Sequence, residues 1–216
     1  MASKKNVSRD NIISWYMAFV LEHNHPPKSI FSFAKQNNFE EGDFYKFYGS
    51  FQGLEEAIFS AFFNNAMEVL AKSDTFEAFD ARNKLLSFYF TFFEILTANR
   101  SYVMYALAKI DLKNLKALKG LKSSFTGFIK TLDIEKIDLK QEQLENIRNK
   151  SFQESSWLQL LVTMKFWMDD VSPSFEKTDI FIEKSINARF DLMDIKPLKS
   201  IIDFGKFMLK EKVKFN

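Results

Sequence analysis

Few residues in this sequence have a type and spacing that could do chemistry. His23-Asn24-His25 holds both histidines of the chain, and two imidazoles one residue apart in a turn could ligate a metal. The sequence has no cysteine, and no acidic pair near the histidines completes a site, so the triplet reads as a polar turn between helices. Asp169-Asp170 precedes Ser172-Pro173 at the end of a helical stretch. Carboxylates are not favoured at the negative end of the macrodipole, so the pair reads as solvent-exposed rather than catalytic. There is no Ser/His/Asp set, no Gly-rich phosphate loop and no carboxylate-rich metal motif. General acid–base and covalent catalysis therefore lack candidates. The sequence reads as a non-enzyme with no catalytic residue, no metal site and no cofactor.

Binding chemistry is better represented. Phe accounts for 26 residues, against six Tyr and three Trp, and Phe brings large burial area without a polar handle. Phe88, Phe92, Tyr102, Tyr105, Trp157, Met164 and Phe166 could line an apolar pocket between helices, oriented by the Tyr hydroxyls and the Trp N–H. A fully packed Phe-rich core accounts for the same residues, and both readings stand. Two segments are basic and amphipathic. In the first, Lys109, Lys113, Lys116, Lys119 and Lys122 interleave with Leu112, Leu115, Leu118 and Leu121. In the second, Lys196, Lys199, Lys206, Lys210, Lys212 and Lys214 outnumber Asp203 and Glu211 around an apolar face of Leu198, Ile201, Ile202, Met208 and Leu209. Lysines around such a face suit a helix lying on an anionic membrane surface, and they suit equally a helix packed on a bundle with solvated lysines.

The elements that position these residues are helices. At 216 residues, with 30 Lys+Arg against 28 Asp+Glu and 46% hydrophobic residues, the chain makes one large domain or two small ones sharing a core. Six Gly and four Pro are few for a many-turned β-sandwich. No stretch reaches the ~18 unbroken apolar residues of a membrane span. The opening Met-Ala-Ser-Lys-Lys-Asn lacks an apolar signal core, and with the absence of Cys this points to the cytoplasm. Ile12, Ile13, Tyr16, Phe19 and Val20 fall on one helical face, stopped by Pro26-Pro27. A short helix over 29–36 follows, a turn at Asn37-Asn38, another short helix over 40–48, and through Gly49-Ser50 a longer one over 52–72. Helices are then expected over 80–98, broken at Asn99-Arg100, and over 101–110, 111–130, 141–170, 176–194 and from Pro197 to about 214, with a connecting loop at 131–140. The 176–194 helix carries two apolar stripes, Ile182, Ile186, Phe190 and Met193 on one side and Phe181, Ser185, Ala188 and Leu192 on the other. Such a helix must be covered twice, by its own core and by a partner subunit.

Two short helices joined by a tight turn, with a helix before and a longer one after, are the helix-turn-helix layout. The residues are more specific still. Ala34-Lys35, then Gly42, Phe44, Tyr45, Lys46, Phe47 and Tyr48, then Ser50 and Leu54, resemble the N-terminal domain of the TetR/AcrR family of regulators, and the all-helical remainder is similar in pattern over about residues 8–195. The resemblance implies an all-α homodimer with DNA binding through the head and a ligand cavity in the body. Carried onto this sequence, it makes Ser29 and Tyr45 phosphate contacts and puts Lys35 and Lys46 at the DNA surface, Lys46 in the major groove and pointing outward with Tyr45. Phe47 and Tyr48 then pack the head. The chain departs from the family pattern at Glu40, Glu41 and Asp43, and at Phe51, which stands where the family has a basic residue. Over residues 1–71, six basic side chains face eight acidic ones, a net charge of −2 on the part that should approach a polyanion. Carboxylates in a first helical turn also suit the macrodipole, by ~0.3–1 kcal/mol each, so Glu40, Glu41 and Asp43 can serve as helix starters alone.

The sequence thus predicts an all-α, TetR-like fold, with a helix-turn-helix head over 1–50 and a ligand-binding and dimerisation body over 51–216 that ends in an extra amphipathic helix. The function expected is a cytoplasmic, homodimeric transcriptional regulator. DNA would be bound through Ser29, Lys35, Tyr45 and Lys46, and an apolar small molecule or lipid through Phe88, Phe92, Tyr102, Tyr105, Trp157 and Phe166. The alternative is a lipid-binding peripheral protein that kept the fold, lost the operator and uses the helix carrying Lys196 to Lys214 at a membrane surface.

Overall fold

Ser8 begins the first helix. Its hydroxyl accepts from the Asn11 amide at 3.1 Å, and α1 (Arg9–His23) follows, burying Ile12, Tyr16 and Val20 at four-residue spacing. The computed structural model describes residues 7–108, 116–132 and 142–194, with side chains at 152–192 of the last stretch. Asn24 ends α1 in the left-handed region (φ 55°), its N–H returning to the Val20 carbonyl. Ser29 and Ser32 form a reciprocal capping box for α2 (Ile30–Gln36). Asn38, at φ 59°, makes the turn into α3 (Glu41–Tyr45). Then come α4 (Phe51–Ala71), α5 (Ala81–Ala98), α6 (Arg100–Ala108), α7 (Lys119–Thr131), α8 (Glu142–Asp169) and α9 (Glu176–Asp194). No strand occurs among the described residues.

The described residues gather into two compact units, one built from residues up to 68 with 92–124, the other from 69–91 and from 125 onward. In the first unit the core of the head is a cluster of rings around Phe33, which meets Tyr16, Phe39, Phe44 and Phe51 edge-on at centroid separations of 5.7–6.4 Å. Edge-to-face pairs add about 0.5–1.5 kcal/mol each beyond burial, which suits a small head with little else to pack. The Tyr16 hydroxyl donates to the Glu55 carboxylate at 2.5 Å and ties α1 to α4. Burial, that bond and the Glu55 charge hold the Tyr16 phenol far above its ordinary value. Gly120 of α7 lies where a Cβ would stand 2.2 Å from the Ser60 hydroxyl and 3.0 Å from the Glu56 carbonyl, so α7 approaches α4 closely.

In the second unit, Phe125 of α7 packs on Phe88 (5.4 Å) and Trp157 (6.5 Å). Arg189 joins α9 to α8: its guanidinium donates to Gln159, Ser155, Ser156 and the Phe152 carbonyl at 2.8–3.1 Å and lies 4.1 Å over the Phe152 ring. Arg82 of α5 bridges to Asp191 at 2.8 Å.

Several expectations change. The helix over 40–48 ends at Tyr45, because the Phe44 carbonyl accepts from both Phe47 and Tyr48 and turns the chain inward. Short 3₁₀ turns at Phe76–Ala78 and Pro173–Phe175 interrupt stretches read as plain connections. Asp170 is buried, and the expected exposure belongs to Asp169, which pairs with Lys165. The 131–140 loop beyond Leu132, residues 109–115 and the helix from Pro197 lie outside the described residues.

Candidate functional site

The outer surface of α2 and α3 carries the four head residues singled out from the sequence. Ser29 is exposed, and its hydroxyl is already engaged as the α2 cap, accepting from the Ser32 amide at 3.1 Å. Lys35 is exposed in the last turn of α2. Tyr45 is 52% exposed, with its hydroxyl 3.4 Å from the Glu41 carboxylate. Lys46 follows at the end of α3, its ammonium 2.7 Å from Asp43. Phe44, between them in sequence, is fully buried against Phe33, so the ring cluster holds α3 with Tyr45 and Lys46 outward. Tyr48 is buried and Phe47 half-buried, as expected of residues that pack the head. Phe51 stacks on Tyr16 at 5.4 Å and meets Phe44 at 5.6 Å. Phe51, half-buried, thus joins the ring cluster of the head.

The six candidate pocket residues fall in both units. Phe88 and Trp157 are buried in the second unit and share Phe125. Phe92 and Tyr102 are buried in the first unit, and Tyr105 is half-buried there beside Tyr16, Glu55 and Tyr102. Burial, with Glu55 nearby, holds the Tyr102 phenol far above its usual range. Phe166 is 36% exposed and stacks on Phe181 at 4.5 Å. It opens on a surface groove of about 480 Å³ lined also by Lys177, Ile180, Lys184 and Ser185.

Sequence reasoning missed that groove. Leu158, Val162 and Phe166 recur every fourth residue on α8 and all face outward, a period readable in the sequence once the inward face of α8 is known. On α9 the two stripes separate as expected: Ile182 and Ile186 are fully buried, whereas Ala188 and Leu192 are exposed and Phe181 and Ser185 half-buried. The basic face of α7 also resolves. Leu118 and Leu121 are buried, as is Phe125 beyond them, while residues 109–115 of that basic segment lie outside the described residues. Among the described residues no helix is long and apolar enough to cross a membrane.

Asp170 has a structural part. Asp170 accepts from the backbone amides and hydroxyls of both Ser172 and Thr178 at 2.6–2.9 Å, closing the turn that starts α9. Burial opposes its charge, but these four donors outweigh it and hold the carboxyl well below its usual range.

Paired short helices with an outward second member, braced by a long helix and followed, among the described residues, by helices alone, define an all-α protein with an N-terminal helix-turn-helix. Residues 84–208 match the family described as tetracyclin repressor-like, C-terminal domain. That is more than half of the chain, and the protein belongs to the tetracyclin repressor-like family, with its all-α TetR-like fold. No curated protein matches the sequence.

Proposed function

We propose that the protein is a homodimeric transcriptional regulator whose head, residues 1–50, binds DNA, and whose body, 51–216, binds an apolar small molecule. The observation that carries this reading is the outward placement of Tyr45 and Lys46 on the second short helix, held there by the buried Phe44. Ser29 and Tyr45 supply phosphate contacts that fix register, Lys35 lies at the DNA surface and Lys46 reaches the groove. A ligand among the body's aromatic residues acts through its different affinities for two body conformations, which set the separation of the two heads. The candidate lining remains Phe88, Phe92, Tyr102, Tyr105, Trp157 and Phe166. The protein works in the cytoplasm and has no catalytic role.

The test is binding to DNA from its own promoter region across a range of salt concentrations. A regulator loses affinity steeply as salt rises, and Lys46→Glu abolishes the binding. Salt-independent or absent binding by the folded dimer overturns the reading. One observation favours a second function: Asp43 and Glu41 already engage Lys46 and Tyr45. On that reading the protein is a TetR-fold lipid carrier that has lost its operator and meets anionic membranes through the lysines from Lys196 to Lys214, a segment outside the described residues. It then floats with anionic liposomes, and truncation after Ile195 stops it.

A further inference from the structure

We propose that His23 and His25 form a two-imidazole site for a borderline first-row divalent cation, Cu²⁺ being the strongest binder. The left-handed turn at Asn24 reverses the chain after α1 and leaves the two rings with centroids 5.9 Å apart. Phe19 backs both: His23 stacks on it at 4.1 Å, and His25 meets it edge-on at 5.9 Å. The Nδ1 of His23 lies 2.9 Å from the Phe19 carbonyl oxygen, and the Nδ1 of His25 lies 2.7 Å from that of Pro26. A carbonyl only accepts, so each Nδ1 carries the proton and donates. In a neutral imidazole this leaves the lone pair on Nε2. That is the tautomer a ligating histidine presents, and a backbone carbonyl holding the other nitrogen is the usual outer support of such a ligand. The 5.9 Å between ring centroids is within reach of one ion bound through both Nε2 atoms at about 2.0–2.1 Å. Both side chains are exposed, so a hydrated ion reaches them.

The ligand atoms set the class of ion. Imidazole nitrogen suits Cu, Ni and Zn and not Mg or Ca, and Cu²⁺ heads the affinity order for divalent ions. Among the described residues no cluster of three or more His, Cys, Asp or Glu could hold a metal. Two imidazoles therefore fill part of the coordination sphere and water the rest, which makes the site open and exchangeable. Spacing shows no third ligand; what the fold adds is a backbone carbonyl on each Nδ1 and one ring, Phe19, behind both imidazoles.

The chain's composition makes the test clean. It has two histidines and no cysteine, so any imidazole-bound ion on the untagged full-length protein is at this pair. The expected result of a calorimetric titration is one Cu²⁺ per chain, with imidazole nitrogen hyperfine splitting in its electron paramagnetic resonance spectrum. Mg²⁺ gives no binding heat. His23→Ala and His25→Ala, checked by circular dichroism for an unchanged fold, each weaken Cu²⁺ at least tenfold. A wild-type spectrum without imidazole nitrogen overturns the proposal without recourse to a variant, and so does a folded single variant that binds as tightly as the wild type.

Discussion

Lys46 and Asp43 face each other across one turn at the end of α3, ammonium to carboxylate at 2.7 Å, with Lys46 still 70% exposed. An exposed pair of this kind contributes about 0–1 kcal/mol, so a phosphate could take the lysine at little cost. The carboxylate would remain beside that phosphate, however. Repulsion from Asp43, more than competition for Lys46, is what an approaching nucleic acid meets.

Asp43→Asn removes this repulsion while keeping the side chain's size. Fluorescence anisotropy with a labelled promoter duplex should then show affinity rising severalfold. Its salt dependence should steepen, because one carboxylate fewer beside Lys46 opposes the phosphates. Unchanged affinity and slope would mean that α3 does not approach the backbone.

The helical spacing of the sequence was enough to read much of the fold. Ile12, Tyr16 and Val20, or Ile182 and Ile186, are buried because a 3.6-residue period brings them to one side, and that period is visible without coordinates. The break at Asn99, between Ala98 and Arg100, was visible for the same reason. Residues whose environment comes from distant parts of the chain were harder. Phe51 turns inward because Phe33, Phe44 and Tyr16 meet there. Asp170 is buried because Thr178, eight residues on, donates to it twice. Aromatic character and helical spacing alone do not separate buried Phe88 from partly exposed Phe166.

Gly120→Ala should destabilise the protein. The new methyl would stand 2.2 Å from the Ser60 hydroxyl, itself 3.3 Å from the Glu56 carbonyl, and 3.0 Å from that carbonyl. Overpacking of this kind outweighs the gain in helix propensity by about 1–2 kcal/mol. Adding Ser60→Ala removes the nearer obstacle, since the Ser60 Cβ sits at an ordinary 3.6 Å. Thermal melts should show the double variant recovering most of the loss, and equal melting of single and double variants would place the clash elsewhere.

Acid should weaken the α8–α9 turn through Asp170. Its folded carboxyl is depressed below the ordinary 3.8, so its stabilising contribution is full above that value. The contribution drains away as pH falls from there through the folded value, because the unfolded chain takes up the proton first. Asp170→Asn offers no charge for the donors of Ser172 and Thr178. The variant should melt below the wild type at neutral pH, and the gap should narrow as the solution is acidified. A constant gap across the acid range would show that the hydrogen bonds, not the charge, set the effect.

The exposed side of α8 makes the last prediction. Leu158 and Val162 are 60% and 48% exposed on one stripe with Phe166, and Leu192 and Ile180 are exposed on α9. Single surface hydrophobes are ordinary, but a stripe continuous with an apolar groove is where the proposed homodimer is expected to meet. In a two-fold dimer each residue of such a patch appears twice, so one substitution places two like charges in the same interface. Val162→Glu should weaken self-association at least tenfold in sedimentation equilibrium while circular dichroism stays unchanged. Val171→Glu, at a 92% exposed position between α8 and α9, adds the same charge outside the stripe and should leave the dimer intact. If Val171→Glu dissociates the protein as readily as Val162→Glu, added charge alone explains the effect and the stripe loses its role. If neither does, the copies meet through another face, and the outward side of α8 and α9, with its groove at Phe166 and Phe181, is open to a different ligand.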